Sequence, residues 1–203
     1  MSEMGPTVFV VDDDPAVADS IRLLLGSVGL TSESYTSATD FLAEFDRERP
    51  GCLVVDVRMP GMSGLDLQAE LVDRGSTLPI VFITAHGDIP MAVTAMRAGA
   101  SDFLEKPFRE QDLLDRVNEA LAENTRLRSE VARKVEARRG LDSLTPREQE
   151  VLELILAGRP NKKIARELGI SRRTVEIHRA RVMEKMGVRS VPLLVRKVML
   201  ARS

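Results

Sequence analysis

Four short apolar runs, each ending in a polar or charged residue, limit what this chain can fold into. Thr7-Val-Phe-Val-Val11 runs into Asp12 and Asp13, Cys52-Leu-Val-Val55 into Asp56, Pro79-Ile-Val-Phe-Ile83 into Thr84, and Asp102-Phe-Leu-Glu105 into Lys106 and Pro107. Short runs without polar alternation fit strands covered on both faces, the condition of a parallel sheet. From Thr7 to about Ala120 strand and helix alternate with short connections, the pattern of a compact α/β domain. Helices are expected over 15–28, 37–47, 65–74 and 89–98, with a fifth beginning near Arg109. Pro15 follows Asp14 as a first-turn proline, and Ser37 with Asp40 offers a variant of the capping box. The second strand, 30–35, is polar and suits a sheet edge.

Stacked in parallel, these strand ends bring three carboxylates, a hydroxyl and an ammonium to the C-terminal edge, where open α/β sheets bind ligands. Each residue alone has a plainer account: Asp13 or Asp14 as a helix cap, Lys106 as a solvated charge. Four strand ends coinciding favour a site. Neighbouring carboxylates repel unless a proton or cation lies between them. With hard oxygen ligands and no nearby His or Cys, Mg²⁺ is the expected cation. An Asp beside Mg²⁺ can act as a nucleophile and accept a phosphoryl group. Lys106 would then pair with phosphate oxygens and Thr84 would donate a hydrogen bond to them.

The chain's 203 residues leave room for two domains, and charge separates them. The net formal charge is −12 up to residue 120 and +10 beyond it. Such an asymmetry points to a polyanion as the partner of the second part, nucleic acid ahead of an anionic membrane. The one cysteine, Cys52, lies in an expected core strand, so neither a disulfide framework nor a Cys-rich zinc site is available. No basic leader and no run of about 18 apolar residues occurs, and a soluble cytoplasmic protein is expected. With no Trp and one Tyr, stacking platforms for single strands are scarce, which favours duplex DNA.

Past Leu114 the apolar positions continue at 3-4 spacing through 117 and 121, then Asn124, Arg128, Val131 and Val135. A solvated helical connector fits this better than a self-pairing coil, since Arg128 falls on the seam. A new domain opens at Leu144-Thr-Pro-Arg-Glu148, where Thr145, Pro146 and Glu148 make a strong helix start. Further starts at Asn161 and Ser171, separated by Gly169, give the helix-turn-helix pattern, and an apolar fourth helix follows over 191–201.

The set Asp12-Asp13, Asp56, Thr84 and Lys106-Pro107 resembles the receiver domain of two-component response regulators. Leu144-Thr-Pro-Arg-Glu148, Asn161-Lys-Lys-Ile-Ala165, Leu168, Ser171, Thr174-Val175, His178 and Lys185 resemble the LuxR-type output domain. Together they resemble FixJ-type transcription regulators, as does Gly87-Asp-Ile-Pro-Met-Ala92 after Thr84. The resemblance implies a doubly wound, five-stranded receiver over 6–122, a helical linker over 123–143 and a DNA-binding domain over 144–203. Asp56 would be phosphorylated by a partner histidine kinase. Asp13, Asp56 and the Arg58 carbonyl would hold Mg²⁺, with Asp12 acting through water, and Thr84 and Phe103 would form a switch pair. Lys106 precedes a proline that is cis in such domains.

In the output domain the third helix would enter the major groove. Val175, His178, Val182 and Met186 should face its core, making His178 a structural residue or a phosphate contact. The base-contacting positions implied by the resemblance carry Glu176, Ile177 and Ala180. Arg172, Arg173, Arg179, Lys162 and Lys163 would hold phosphates. His86 lies two residues after Thr84 and receives no catalytic role.

The reading is a phosphorylation-switched activator rather than an enzyme, dimerising when phosphorylated and meeting RNA polymerase. The rival is an Mg²⁺-dependent phosphatase with Asp56 as nucleophile. Such enzymes typically carry a second acid two residues on, where this chain has Arg58.

Overall fold

The computed structural model describes residues 5–85 and 89–203. The chain divides into two compact units between Arg128 and Ser129.

In the first unit β1 (Thr7–Val11), β2 (Thr31–Tyr35), β3 (Gly51–Asp56), β4 (Ile80–Thr84) and β5 (Asp102–Glu105) form one sheet, ordered β2-β1-β3-β4-β5. Every pairing is parallel. The inner strands β1, β3 and β4 are buried along their whole length, as their unbroken apolar runs require. Helices α1 (Pro15–Ser27) and α5 (Glu110–Asp142) bring Ile21, Leu25, Leu113 and Val117 into one core. Helices α2 (Ala38–Glu44), α3 (Gly64–Asp73) and α4 (Ile89–Arg97) bring Phe41, Leu67, Leu71 and Ala95 into a second. Each fully buried Val, Leu, Ile or Phe side chain contributes about 1.5–3 kcal/mol, so both faces of the sheet are held.

The polar strand β2 is at the edge, as its composition predicts. Arg49 donates to both Glu33 carboxylate oxygens, at 2.6 and 2.8 Å, and its guanidinium lies 4.9 Å from the Phe9 ring centroid. Helix α2 is shorter than the expected 37–47 and ends at Glu44. Phe45 is extended, and the Asp46 carboxylate accepts from the Glu48 N–H at 2.8 Å, a local turn that competes with helix continuation.

Helix α5 is continuous over 33 residues. Asn124 is buried: its Oδ1 accepts from Gly51 N–H at 3.1 Å and its Nδ2 donates to Thr77 O at 3.2 Å. Arg128 donates to Arg47 O and Glu48 O. Asn124 thus ties the helix to the start of β3 and the turn before β4, and the seam position read from spacing is occupied by the chain's own backbone. Asn124→Ala should lower the stability of this unit by about 2–4 kcal/mol, because it strands a buried N–H and a carbonyl. A urea titration followed on the receiver signal checks this; a loss below about 0.5 kcal/mol would mean the amide is dispensable.

The second unit holds α6 (Pro146–Leu156), α7 (Asn161–Leu168), α8 (Arg172–Lys185) and α9 (Val191–Arg202). Thr145 and Glu148 complete the expected capping box. Gly169 ends α7 at φ +64°, a conformation glycine adopts without steric cost, and Ser171 caps α8 two residues later. Val151, Leu152, Ile164, Val175, Val182 and Met186 form the core, which Leu194 and Val198 of α9 complete.

Candidate functional site

The site of the first unit lies where the strand order reverses between β1 and β3, the switch point at which doubly wound sheets bind ligands. Asp12 follows β1, Asp56 ends β3, Thr84 ends β4 and Lys106 follows β5. Gly64 lets α3 start directly against this edge: a Cβ there would sit 2.4 Å from the Asp56 carbonyl oxygen.

Asp12 is 1 % exposed, and its carboxylate accepts from Asp14 N–H at 2.9 Å and from Lys106 Nζ at 2.7 Å. The same ammonium is 3.5 Å from Asp56 Oδ2, and Arg58 N–H reaches Asp56 Oδ1 at 3.4 Å. Lys106 therefore bridges two acids. Burial pushes the Asp56 carboxyl above the usual range; Lys106 opposes this and the Asp12 charge adds to it. One carboxylate oxygen from each of Asp12, Asp13 and Asp56 lies within 4.8 Å of the others. Asp13 is exposed, so this acidic cluster opens to solvent. Three oxygen donors without nitrogen or sulfur suit a hard divalent cation such as Mg²⁺.

Thr84 is buried, and its carbonyl accepts from Lys106 N–H at 2.7 Å, so β4 and β5 close together beside the acids. The peptide between Lys106 and Pro107 is cis. Phe103 is half-buried and pairs in register with Phe82, while Glu105 is the partner of Thr84. Thr84 and Phe103 are thus diagonal neighbours on one sheet face, two positions apart along the strand. His86, Gly87 and Asp88, expected in the loop after Thr84, lie outside the described residues.

In the second unit Val175 and Val182 of α8 and Met186 at its C-cap are completely buried, and His178 is half-buried. Arg172, Arg173, Glu176, Ile177 and Ala180 are exposed, Ile177 by 47 %; Arg179 is half-buried. On α7, Lys162 is exposed and Lys163 half-buried. None of these five cations has an ion-pair partner among the described residues, so α7 and α8 present an unneutralised basic surface around an apolar and acidic centre. Such a layout suits phosphates at the rim and bases in the middle.

Spacing and composition gave no sign of one contact. Glu148 is 2 % exposed, and it accepts from Thr145 N–H at 2.9 Å and from Lys185 Nζ at 2.6 Å. Lys185 also donates to Ser143 O. These bonds fix the end of α8 to the start of α6 and hold the Glu148 carboxyl down at about 2, chiefly through Lys185.

Residues 8–118 match the response regulator receiver domain, and residues 142–198 match the bacterial regulatory proteins of the luxR family. The response regulator protein TodT of Pseudomonas putida strain F1 is 47 % identical over 97 % of this chain and 86 % of its own length. Transcriptional regulatory protein FixJ of Azorhizobium caulinodans is 46 % identical over 96 % of this chain and 92 % of its own. The solved structure of response regulator StyR is 49 % identical, covers 97 % of this chain and 99 % of its own, and superposes with a TM-score of 0.90. The chain belongs to the two-component response regulators, with a receiver domain joined to a LuxR-family DNA-binding domain in the manner of the FixJ-type transcription regulators.

Proposed function

We propose that Asp56 is the phosphoacceptor through which a partner histidine kinase controls DNA binding by the output domain. The observation that carries this is the Lys106 ammonium, 2.7 Å from Asp12 and 3.5 Å from Asp56, beside the cluster of three acids. An Asp56 oxygen attacks the phosphorus of the phosphohistidine; the P–N bond breaks, and the leaving ring nitrogen keeps the electron pair and takes up a proton. Lys106 offsets charge on the phosphoryl oxygens, and the Thr84 hydroxyl donates to one of them. Asp13, Asp56 and the Arg58 carbonyl would hold Mg²⁺, and Asp12 would assist at the same cluster. When bound, the cation supplies positive charge between the acids and the incoming phosphate.

Phosphorylation adds about −1.5 to −2 charge. Thr84 moves toward it and Phe103 repacks behind, which alters the adjoining surface of α4. That surface exposes Val93 and Met96, apolar groups suited to a second receiver. Dimerisation through this face brings two output domains to two DNA half-sites. On each, α8 enters the major groove: Glu176 accepts from cytosine N4, Ile177 and Ala180 meet thymine methyls, and Arg172, Arg173, Arg179, Lys162 and Lys163 hold phosphates. The regulator works in the cytoplasm as an activator that contacts RNA polymerase, a reading carried by the family resemblance. No described helix is long and apolar enough to cross a membrane.

Incubation with acetyl phosphate and Mg²⁺ should give a single phosphoryl adduct by intact mass and a dimer by size-exclusion chromatography. EDTA should abolish both. An adduct formed equally well in EDTA would refute the cation's part, and none under any phosphodonor would refute the phosphoacceptor.

A further inference from the structure

We infer that His178 is a DNA contact as well as part of the α8 packing, donating from Nε2 to a backbone phosphate on the wall of the major groove. The inference rests on α8 being the groove-entering helix. Its starting point is His178 Nδ1, which is the one buried side-chain nitrogen or oxygen without a hydrogen-bond partner among the described residues. Nε2 makes no hydrogen bond to a described residue either, yet it is not among the buried unpartnered atoms, so on this half-buried ring it is the less enclosed of the two nitrogens.

The two nitrogens therefore sit in different surroundings. A proton on Nδ1 would put an N–H into the packed interior with no acceptor, a costly arrangement. A ring with its proton on Nε2 keeps only a lone pair inside and turns a donor outward. Packing alone does not account for this: an apolar side chain of similar size would fill the same space without an unpaired nitrogen.

Position along the helix says what the donor meets. Successive residues turn by about 100°. Val175 and Val182 point to the core, and Glu176, Ile177 and Ala180 lie on the exposed face. His178 falls on the flank between them, next to half-buried Thr174 and exposed Arg181. A helix about 10–12 Å across nearly fills a major groove about 12 Å wide. Its outer face then meets base edges, and its flanks meet the groove walls, which are sugar and phosphate. Phosphate oxygens are strong acceptors and offer none of the sequence information a base reader needs. Arg181, outside the contacts read from sequence, lies on the same flank and brings positive charge toward that wall.

Amide side chains separate the two nitrogens, since a glutamine nitrogen reaches the place of Nε2 and an asparagine nitrogen that of Nδ1. The full-length chain, treated with acetyl phosphate and Mg²⁺, would be titrated onto a fluorescent random-sequence 30-base-pair duplex over a range of salt. His178→Asn and His178→Leu should bind about five- to tenfold more weakly, and His178→Gln within about twofold of wild type. Because a donor without net charge releases no counterion, the slope of log K against log salt should stay unchanged in all three. The chain has two histidines, so ring ¹⁵N signals, assigned with His86→Gln, give a readout that needs no variant at 178. They should report the Nε2–H tautomer, with the Nε2 signal moving when duplex is added.

Equal loss in the Asn and Gln variants with intact thermal melts, a slope smaller by about 0.9, or a proton on Nδ1 would each overturn the assignment. If the variants bind like wild type, the contact does not exist. If wild type itself fails to bind the duplex at low salt, the groove-entering role of α8 fails first and takes this inference with it.

Discussion

Asp56→Asn should leave the protein without a phosphoryl adduct under any phosphodonor, and without phosphodonor-dependent dimerisation or gain in DNA affinity. The expected effect is complete loss rather than a reduction. An amide has the shape of the carboxylate but neither its charge nor its nucleophilic oxygen, and no neighbour can take its place. Asp12 is buried with both oxygens hydrogen-bonded, one of them to Lys106, while Asp13 stands in solvent without a bridging ammonium. Intact mass and size-exclusion chromatography before and after acetyl phosphate give the result directly. Wild-type adduct levels on the variant would move the phosphoacceptor elsewhere. An adduct lost while dimerisation persists would keep the chemistry and remove the switch.

Lys185→Met should markedly destabilise the output domain. It leaves the Glu148 carboxylate 2 % exposed and without its cation, retaining the Thr145 N–H as a partner. Breaking a fully buried pair costs about 3–5 kcal/mol, but the Lys185 side chain is 33 % exposed, and discounting for water gives about 2–3 kcal/mol. For a helical unit of this size that is about 10–20 °C in Tm. The effect should depend on pH in one direction. Glu148 is held at about 2 in the folded protein against 4.5 unpaired, so its stabilisation is present above about pH 4.5 and is lost as pH falls toward 2. The gap between wild type and Lys185→Met should close over that window. Adding Glu148→Gln to Lys185→Met should recover part of the loss at neutral pH by removing the stranded charge. Thermal melts at pH 7 and pH 3 test both statements; a gap independent of pH would mean the lysine acts through its packed methylenes.

The sheet was legible because its signal is one-dimensional. Three unbroken apolar runs became the inner strands β1, β3 and β4 and the polar composition of β2 specified an edge, whereas the run at 102–105, flanked by Asp102 and Glu105, became the half-buried opposite edge β5. The helix starts were legible for the same reason: a cap is a local interaction between residues three apart, and Ser37, Thr145 and Ser171 all accept the expected N–H. Helix ends were less so. The early stop of α2 depends on an Asp46 side chain choosing a turn over the helix, two states of similar energy from sequence alone.

Asn124 shows where sequence pattern misdirects. At 3-4 spacing a polar residue in an apolar stripe reads as a register-setting position in a paired helix, or as solvated surface. The partners that give it meaning, Gly51 and Thr77, are 73 and 47 positions away. Lys185 and Glu148 are similar: each was visible as part of a local pattern, and the bond between them spans 37 positions.

The sequence by itself determined the alternation of strands and helices, the identities of the acids, hydroxyl and lysine at the strand ends, the basic second half and the helix-turn-helix. These follow from periodicity, turn chemistry and charge, all of which act over a few residues. Tertiary structure alone decided that Lys106 bridges Asp12 and Asp56, that Asn124 ties α5 to the sheet, that Lys185 neutralises Glu148 and that His178 Nδ1 is buried without a partner among the described residues. Hydrogen bonds and ion pairs act over about 3 Å, and chain separation carries no information about which polar groups will meet at that distance.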